Sequence, residues 1–560
     1  MRECGSRSIA VLASPAFFLT TVFAQSPGPA LTIRSNTRLV QLGVIAVDRN
    51  GQPMTGLTRE NFELYDQGRP QQIRIFTEDS MRKEPAPAHT TGVANSAAHV
   101  FTNIVDTRSA PSAVTVILFD SLNTEWTHQA YARREVLRFL SQLRPEDHVA
   151  LYVMSYGGAR VLHDFTQDPS ELIARLDKFR GEVGTRHAST DPGLDRQFEQ
   201  WMNGRSREYT LRQRLADSPY SAPVQSLRIL TAIANRLANI PGRKNVIWIS
   251  DGFPAVDWGS LADAVYGGNA DSETAKNQRS NADATSIYDE MSLTMRTISD
   301  ANVAIYPVSA QGLDNPAYDT QNNLDPVHMI MALDARLHGL QDVMDDIAKK
   351  TGGRAFYETN DIAGAIRKAV EDTNTTYTLG FYPDSVRLDG KFHKIRVRIV
   401  GRDGVRLRYR QGYIDAPELW GDENNYRLSL ENAVWSPLDA NGIGMSAKIE
   451  PTPGDGHRER LQLKISPSDL AFVERDTMRV AEAELLVVQK DDRGRQLNVI
   501  EHVVRVEASP QDYEEIAKNG IAFSGSFFLD RDARSLRVVV SDAHSARLGS
   551  LTIPRSALVR

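Results

Sequence analysis

Cysteine is almost missing from this chain. Its single cysteine among 560 residues is Cys4. Cys4 does not follow an apolar lipobox-like stretch, so it is a poor lipidation site, and it falls in a segment that reads as a leader. The rest of the chain can form no disulfide, hold no thiolate zinc and offer no cysteine nucleophile. Charge of one sign is also missing. Lys and Arg total 65 against 71 Asp and Glu, a net charge of −6. There is no basic footprint for nucleic acid and no electrostatic pull toward an anionic membrane. After residue 24 no segment is long and apolar enough to span a bilayer, which takes roughly 20 residues. No His-Glu-x-x-His pair, no Walker loop and no tandem repeat occurs. Protein, glycan and small-molecule partners stay open.

What is present begins at the N-terminus. Arg2 and Arg7 precede an uncharged run from Ile9 to Ala24, and Val22 and Ala24 suit the positions just before a cut at Gln25. Residues 1–24 are expected to be a cleaved signal peptide, and the chain to be secreted or held in the periplasm or cell envelope. No transmembrane span is expected once the leader is gone. An exported protein without cysteine fits a bacterial source better than animal secretion. A chain of this length divides into several domains.

Residues 35–80 read as short strands. Val40 to Val47 is apolar, Asp48-Arg49-Asn50-Gly51 makes a turn with a hairpin signal, and Phe62 to Tyr65 and Gln72 to Phe76 follow. Residues 81–112, rich in Ala, Pro, Ser, Thr and His, read as a linker. The texture changes at Ala113. Val114 to Phe119 is a continuous apolar run, the mark of a strand buried on both faces, and it stops at Asp120. A helix is expected from about Thr127, with Val136, Phe139, Leu140 and Leu143 on one face. Strands Val149–Met154 and Ala159–Phe165 are close enough for an antiparallel hairpin. A helix from Ser226 to Leu237 leads to a second buried strand, Asn245–Ser250, which stops at Asp251-Gly252. Strand Val303–Val308 and helices at 338–350 and 361–372 complete the alternation. Polar insertions occupy 183–222 and 256–284.

Alternating strands and helices over 113–374 specify an α/β central domain, doubly wound and Rossmann-like, with a mostly parallel sheet and one antiparallel edge strand. Residues 375–415 return to strands, too few to stand alone. They are expected to join 35–80 in one β-sandwich, with the α/β domain inserted between its parts. Residues 430–560 are expected to form a separate all-β sandwich.

In open α/β sheets ligands bind at the carboxyl ends of the strands, where Asp120 and Asp251 stand. Carboxylates there, beside hydroxyls, make a hard oxygen site suited to Mg²⁺, Mn²⁺ or Ca²⁺. The plain alternative is that each aspartate caps a helix or satisfies loop amides. His128 could approach the site but is expected on the helix surface. Trp126 and Trp248 are expected to pack, Trp126 alternatively rimming a binding surface. Arg243-Lys244 are expected to be solvated at a helix-strand turn.

Residues 113–374 resemble a von Willebrand factor A domain. The carrying features are strand-Asp120, the hairpin after Val149, Asn245 to Asp251-Gly252 and the strand Val303–Val308, in the family's order. The resemblance implies a metal-ion-dependent adhesion site, in which Asp-x-Ser-x-Ser, a middle-loop Thr and an Asp before Gly hold a divalent ion. Asp120 matches the first Asp, Thr124 stands for the second Ser, and Asp251 is the final Asp. Ser226 is the candidate for the middle-loop hydroxyl. Leu122 replaces the first Ser and cannot ligate. Asn123 and Gly252 would border the binding surface with Trp126. Over 35–415 the chain resembles more closely a bacterial, acidobacterial-type subgroup of A-related proteins. That resemblance rests on Thr55-Gly56-Leu57-Thr58, Asp120-x-Leu122-Asn123-Thr124, Pro241 to Trp248, Tyr377 to Pro383 and Asp389 to Ile395.

The implied function is an exported, non-enzymatic adhesion-type protein that recognises another protein, with a metal ion taking a carboxylate of the partner. Alternatives are a structural or envelope-assembly protein with a metal-free domain, and a metal-dependent hydrolase. The last lacks a paired His–carboxylate signature in the sequence.

Overall fold

The computed structural model describes residues 39–80, 100–105, 113–155, 157–179, 221–252, 282–312, 341–372, 375–383, 391–415, 423–452, 458–475, 477–545 and 547–557. The expected leader lies outside them, as do most of the linker and nearly all of both insertions.

Four strands precede the central domain: β1 (Val40–Val47), β2 (Phe62–Asp66), β3 (Arg69–Gln71) and β4 (Ile75–Ser80). A short β5 (Val100–Thr102) follows. The central sheet holds β6 (Ala113–Asp120), β7 (Val149–Ser155), β8 (Gly158–Thr166), β9 (Arg243–Ser250) and β10 (Val303–Ser309). Its order is β10-β9-β6-β7-β8; all neighbours are parallel except β7 and β8. Phe356 adds a parallel bridge to Val308 beyond β10.

The continuous apolar strands are explained by two cores. Val116 and Leu118 face one side with Trp248, Leu230 and Ile233. Ile117 and Phe119 face the other with Val136, Phe139 and Ile366. Every residue of β6 is buried, so helices must cover both faces. Burying each such aliphatic side chain is worth about 1.5–3 kcal/mol, an upper bound because the unfolded chain already hides some surface.

Strands β11 (Thr375–Phe381), β12 (Lys391–Ile399), β13 (Arg406–Arg408) and β14 (Gly412–Asp415) lie after the central domain. They interleave with β1–β4 in two antiparallel sheets, β13-β1-β11-β4 and β14-β12-β2-β3. Val40 stands opposite Phe381 and Ser80 opposite Thr375. Leu42, Phe62, Tyr377, Phe381 and Tyr413 share one core between the sheets. The Asn50-Gly51 turn forms, with Gly51 at φ 82°, and folds the chain back in a short antiparallel bridge, Val47 opposite Pro53. β1 and β2 belong to different sheets, because the intervening 52–61 carries the chain from one layer to the other.

The C-terminal part contains β15 (Met445–Pro451), β16 (Arg458–Ile465), β17 (Val473–Arg475), β18 (Met478–Lys490), β19 (Gln496–Ala508), β20 (Ile521–Phe528), β21 (Ser535–Asp542) and β22 (Leu548–Pro554). Two sequence readings need correction here. The stretch is not all β: helices Glu423–Trp435 and Pro510–Asn519 belong to it. The second starts from Ser509, whose hydroxyl accepts from Asp512 N while the Asp512 carboxylate accepts from Ser509 N, with Pro510 at the first helical position. Nor is 81–112 linker throughout, since β5 pairs with β15, Phe101 opposite Ala447. Three residues carry too little pattern to be read as a strand alone.

Arg243 and Lys244 are also not solvated. Both are buried. The Arg243 guanidinium donates to Tyr306 Oη and Gly352 O, each at 2.9 Å. Lys244 Nζ donates to Ala301 O at 2.7 Å, and burial pushes its ammonium down to about 8. A further clasp ties the helix Glu423–Trp435 to the central domain. Glu290, fully buried, pairs with Arg228 at 2.5 Å and accepts from Asn432 Nδ2 at 3.2 Å.

Candidate functional site at the strand ends

The sheet order places β6 and β9 side by side, with the connections leaving them in opposite directions. That is a topological switch point, where the carboxyl ends of the strands open a crevice. Asp120 ends β6. Asp251 follows β9. The helix Trp126–Leu140 begins directly above them.

Asp120 is closed. Its Oδ1 accepts from Leu122 N at 3.0 Å and Asn123 N at 2.8 Å. Its Oδ2 accepts from Asn123 Nδ2 at 2.8 Å, Trp248 Nε1 at 3.0 Å and Ser250 Oγ at 2.8 Å. A carboxylate has about four lone-pair sites, so this one is saturated by protein donors. Burial still pushes its pKa up, against the opposing pull of the Asn123, Ser250 and Trp248 bonds.

Asp251 is half satisfied. Its Oδ2 accepts from Glu125 N at 2.9 Å and meets His128 Nδ1 at 2.8 Å. Its Oδ1 is buried and has no hydrogen-bond partner among the described residues. Asn123 Oδ1 is likewise buried and unpartnered. Burial raises the Asp251 pKa, and the Glu125 and His128 bonds counter it. Two acceptor oxygens without donors are costly in a protein interior, about 1–3 kcal/mol each.

The remaining candidates take supporting positions. Thr124 Oγ1 accepts from Asp251 N at 3.3 Å, tying the loop after β6 to the end of β9. Ser226 Oγ accepts from Asn123 Nδ2 and donates to Ala222 O, both at 2.9 Å. Ser226 is thus brought to the site, but its hydroxyl is spent within the protein. Gly252, at φ 107°, turns its N–H back onto Ser250 Oγ at 3.0 Å. That backbone conformation disfavours any side chain. Trp126 stands 49 % exposed at the start of the helix. Leu122 points into the apolar core with Met154 and Val224.

Asp120, Thr124, Ser226 and Asp251 do not fit a divalent ion as a set of direct ligands. An ion on Asp120 would have to displace N–H and O–H donors from Trp248, Asn123 and Ser250. Indole and amide N–H groups cannot turn into acceptors. Among the described residues no three His, Cys, Asp or Glu side chains are grouped to hold a metal. Sequence reasoning missed two partners. Trp248 does not only pack but donates to Asp120. His128 is not a plain helix-surface residue but meets Asp251. The spacing from Asp120 to His128 placed the histidine on the following helix, but its reach to β9 required the fold.

No family model and no curated protein matches the chain. Solved structures similar to it include a von Willebrand factor type A protein from Catenulispora acidiphila, at 10 % identity and TM-score 0.24 over 94 % of this chain and 75 % of that one. An aerotolerance-related membrane protein from Bacteroides fragilis gives 12 %, 0.25, 46 % and 98 % for the same quantities. The pilus adhesin SpaC from Lactobacillus rhamnosus GG gives 10 %, 0.23, 81 % and 60 %. The chain's own strand order and its one antiparallel edge strand define an α/β central domain with a mostly parallel sheet. Among the described residues no helix is long and apolar enough to cross a membrane.

Proposed function

We propose that this is an exported bacterial protein of the acidobacterial-type A-related subgroup, and that it binds another protein at the switch-point face of its central domain. The reading rests chiefly on Asp251 Oδ1 and Asn123 Oδ1, buried acceptor oxygens that have no donor among the described residues. An exposed indole, Trp126, stands on the same loop-helix junction. Such a face accepts hydrogen bonds and positive charge, and an indole adds cation–π attraction. The partner chemistry it suits is a basic side chain inserted directly. The carboxylate-for-metal mode implied by the resemblance would need an ion held between, and the saturation of Asp120 speaks against that set of ligands.

The test is capture from the envelope of the source cell. A partner held by the wild type should be lost with Asp251→Ala and with Trp126→Ala, and weaken as salt rises. Equal capture by all three proteins would overturn the reading. Titration with Mg²⁺, Mn²⁺ and Ca²⁺ tests the metal mode: binding abolished by Asp120→Ala would restore it.

A hydrolase is the second reading, and one observation favours it. His128 and Asp251 form the His–carboxylate pair that the sequence pattern had not offered. In hydrolases such a pair orients the imidazole as a base, and a nucleophile or water would still be needed at the other ring nitrogen. Hydrolysis of ester or peptide substrates abolished by His128→Ala would establish it.

A further inference from the structure

Away from the switch point, β19 is an open edge. It pairs with β18 along its whole length, from Arg479 opposite Ala508 to Lys490 opposite Gln496. Among the described residues no strand lies on its other side. Thirteen residues make it long for an edge strand. Edges are usually blunted by proline or by charges aimed inward. β19 has no proline, and its inward residues Ile500, Val504 and Val506 pack on the core. The opposite face shows Val503, which is 61 % exposed, with Arg505 and Glu507 half exposed beside it. His502 touches Phe523 of β20 at 5.5 Å between ring centroids, so the free edges of the two facing sheets lie on the same side.

The charge pattern of this edge is complementary to itself. We propose that two copies of the chain pair antiparallel through β19, about a two-fold axis at Val503, so that each sheet continues into the other. In that register Val503 meets the second copy's Val503, and Glu501 meets its Arg505 on both sides of the axis, where Arg505 also holds Glu507 of its own strand at 2.8 Å. Other registers lose this match. A two-fold at His502 sets the charges against Val499, Val503 and Leu497, and one at Val504 sets Glu501 against Glu507. Axes at Glu501 or Arg505 set like charge on like. Directly opposed pairs of opposite charge stabilise a sheet and like pairs oppose it. A two-fold pairing of one strand with itself is also the commonest closed symmetry.

The test uses the full 560-residue chain with Cys4→Ser, so that no other thiol is present. Sedimentation should show a concentration-dependent dimer. Glu501→Arg and Arg505→Glu should each weaken it, on the order of tenfold. The double swap should return it to within about threefold of wild type, because the opposite pair is remade with its signs exchanged. Val503→Cys should form a covalent dimer on mild oxidation, since the two thiols face each other at the axis, while Val499→Cys should not. A wild type that stays monomeric, a dimer indifferent to both swaps, a double swap as weak as the singles, or crosslinking at Val499 equal to Val503 would each overturn the proposal. The cysteine readout reports position rather than stability, so a poorly folded charge variant leaves the decision intact.

Discussion

Asp120 and Asp251 close neighbouring buried strands, one residue type at one place in the fold. Asp120 collects donors from Leu122, Asn123, Trp248 and Ser250 until its carboxylate is full. Asp251 keeps one oxygen bonded to Glu125 N and His128, and one with no donor among the described residues. Burial raises the pKa of both. The difference therefore lies in who donates. A carboxylate wrapped by its own loop fixes that loop; a carboxylate left half unpartnered stores free energy that an incoming donor can release. Position at a strand end says where a ligand can come, and the count of internal donors says which residue is left to meet it.

The largest effect that can break this comparison is loss of Asp120. Asp120→Ala strands buried donors from Trp248, Ser250 and Asn123 and should cost about 3–5 kcal/mol in urea unfolding. Asp251→Ala strands only Glu125 N and one His128 bond while removing an unsatisfied oxygen, and should cost about 1 kcal/mol. Equal costs would erase the distinction.

Lys244 sharpens it from the other end of β9. Its Nζ donates to the backbone carbonyls of Ala238 and Ala301, and its folded pKa of about 8 lies below the ordinary 10.5. Above pH 8 the folded chain releases this proton while the unfolded chain keeps it. Stability should then climb between about pH 8 and 10, by on the order of 2–3 kcal/mol. Beyond pH 10 the gain is opposed, because Tyr152 and Tyr306 hold their protons to about 12 when folded. Urea melts across this range should show the rise in wild type and a flat profile in Lys244→Met. A rise retained in the variant would assign it to other groups.

The smallest effect on stability belongs to Trp126. Exposed and outside the cores, Trp126→Ala should leave unfolding within about 0.5 kcal/mol of wild type, yet abolish partner capture. A clear loss of stability would instead make the indole a packing group.

Much of this was readable in the residues. The uninterrupted apolar run of β6 announces burial on both faces, and its stop at Asp120 marks the strand end. The short Ser155–Gly158 connection announces the antiparallel β8. What could not be read was reach across the sequence. Trp248 lies within a buried strand and looks like any core aromatic until β9 is set beside β6. His128 looks like a helix-surface residue until that helix is hung over Asp251. Arg243 and Lys244 look solvated because their partners, Tyr306, Gly352 and Ala301, are far along the chain. The helix Pro510–Asn519 is hard to read for another reason: none of its residues is fully buried, and its apolar side is narrow, with Tyr513 and Ile516 packing on the core.

The central claim is that Asp251, and not Asp120, is the open acceptor of the switch point. Carbon-13 NMR of chain labelled at the aspartate carboxyls tests it directly, with resonances assigned by Asp120→Asn and Asp251→Asn. On addition of N-acetyl-arginine amide the Asp251 resonance should move and the Asp120 resonance should stay. Movement of Asp120 with the Asp251 signal fixed, or movement of both only on adding Mg²⁺, would contradict the account.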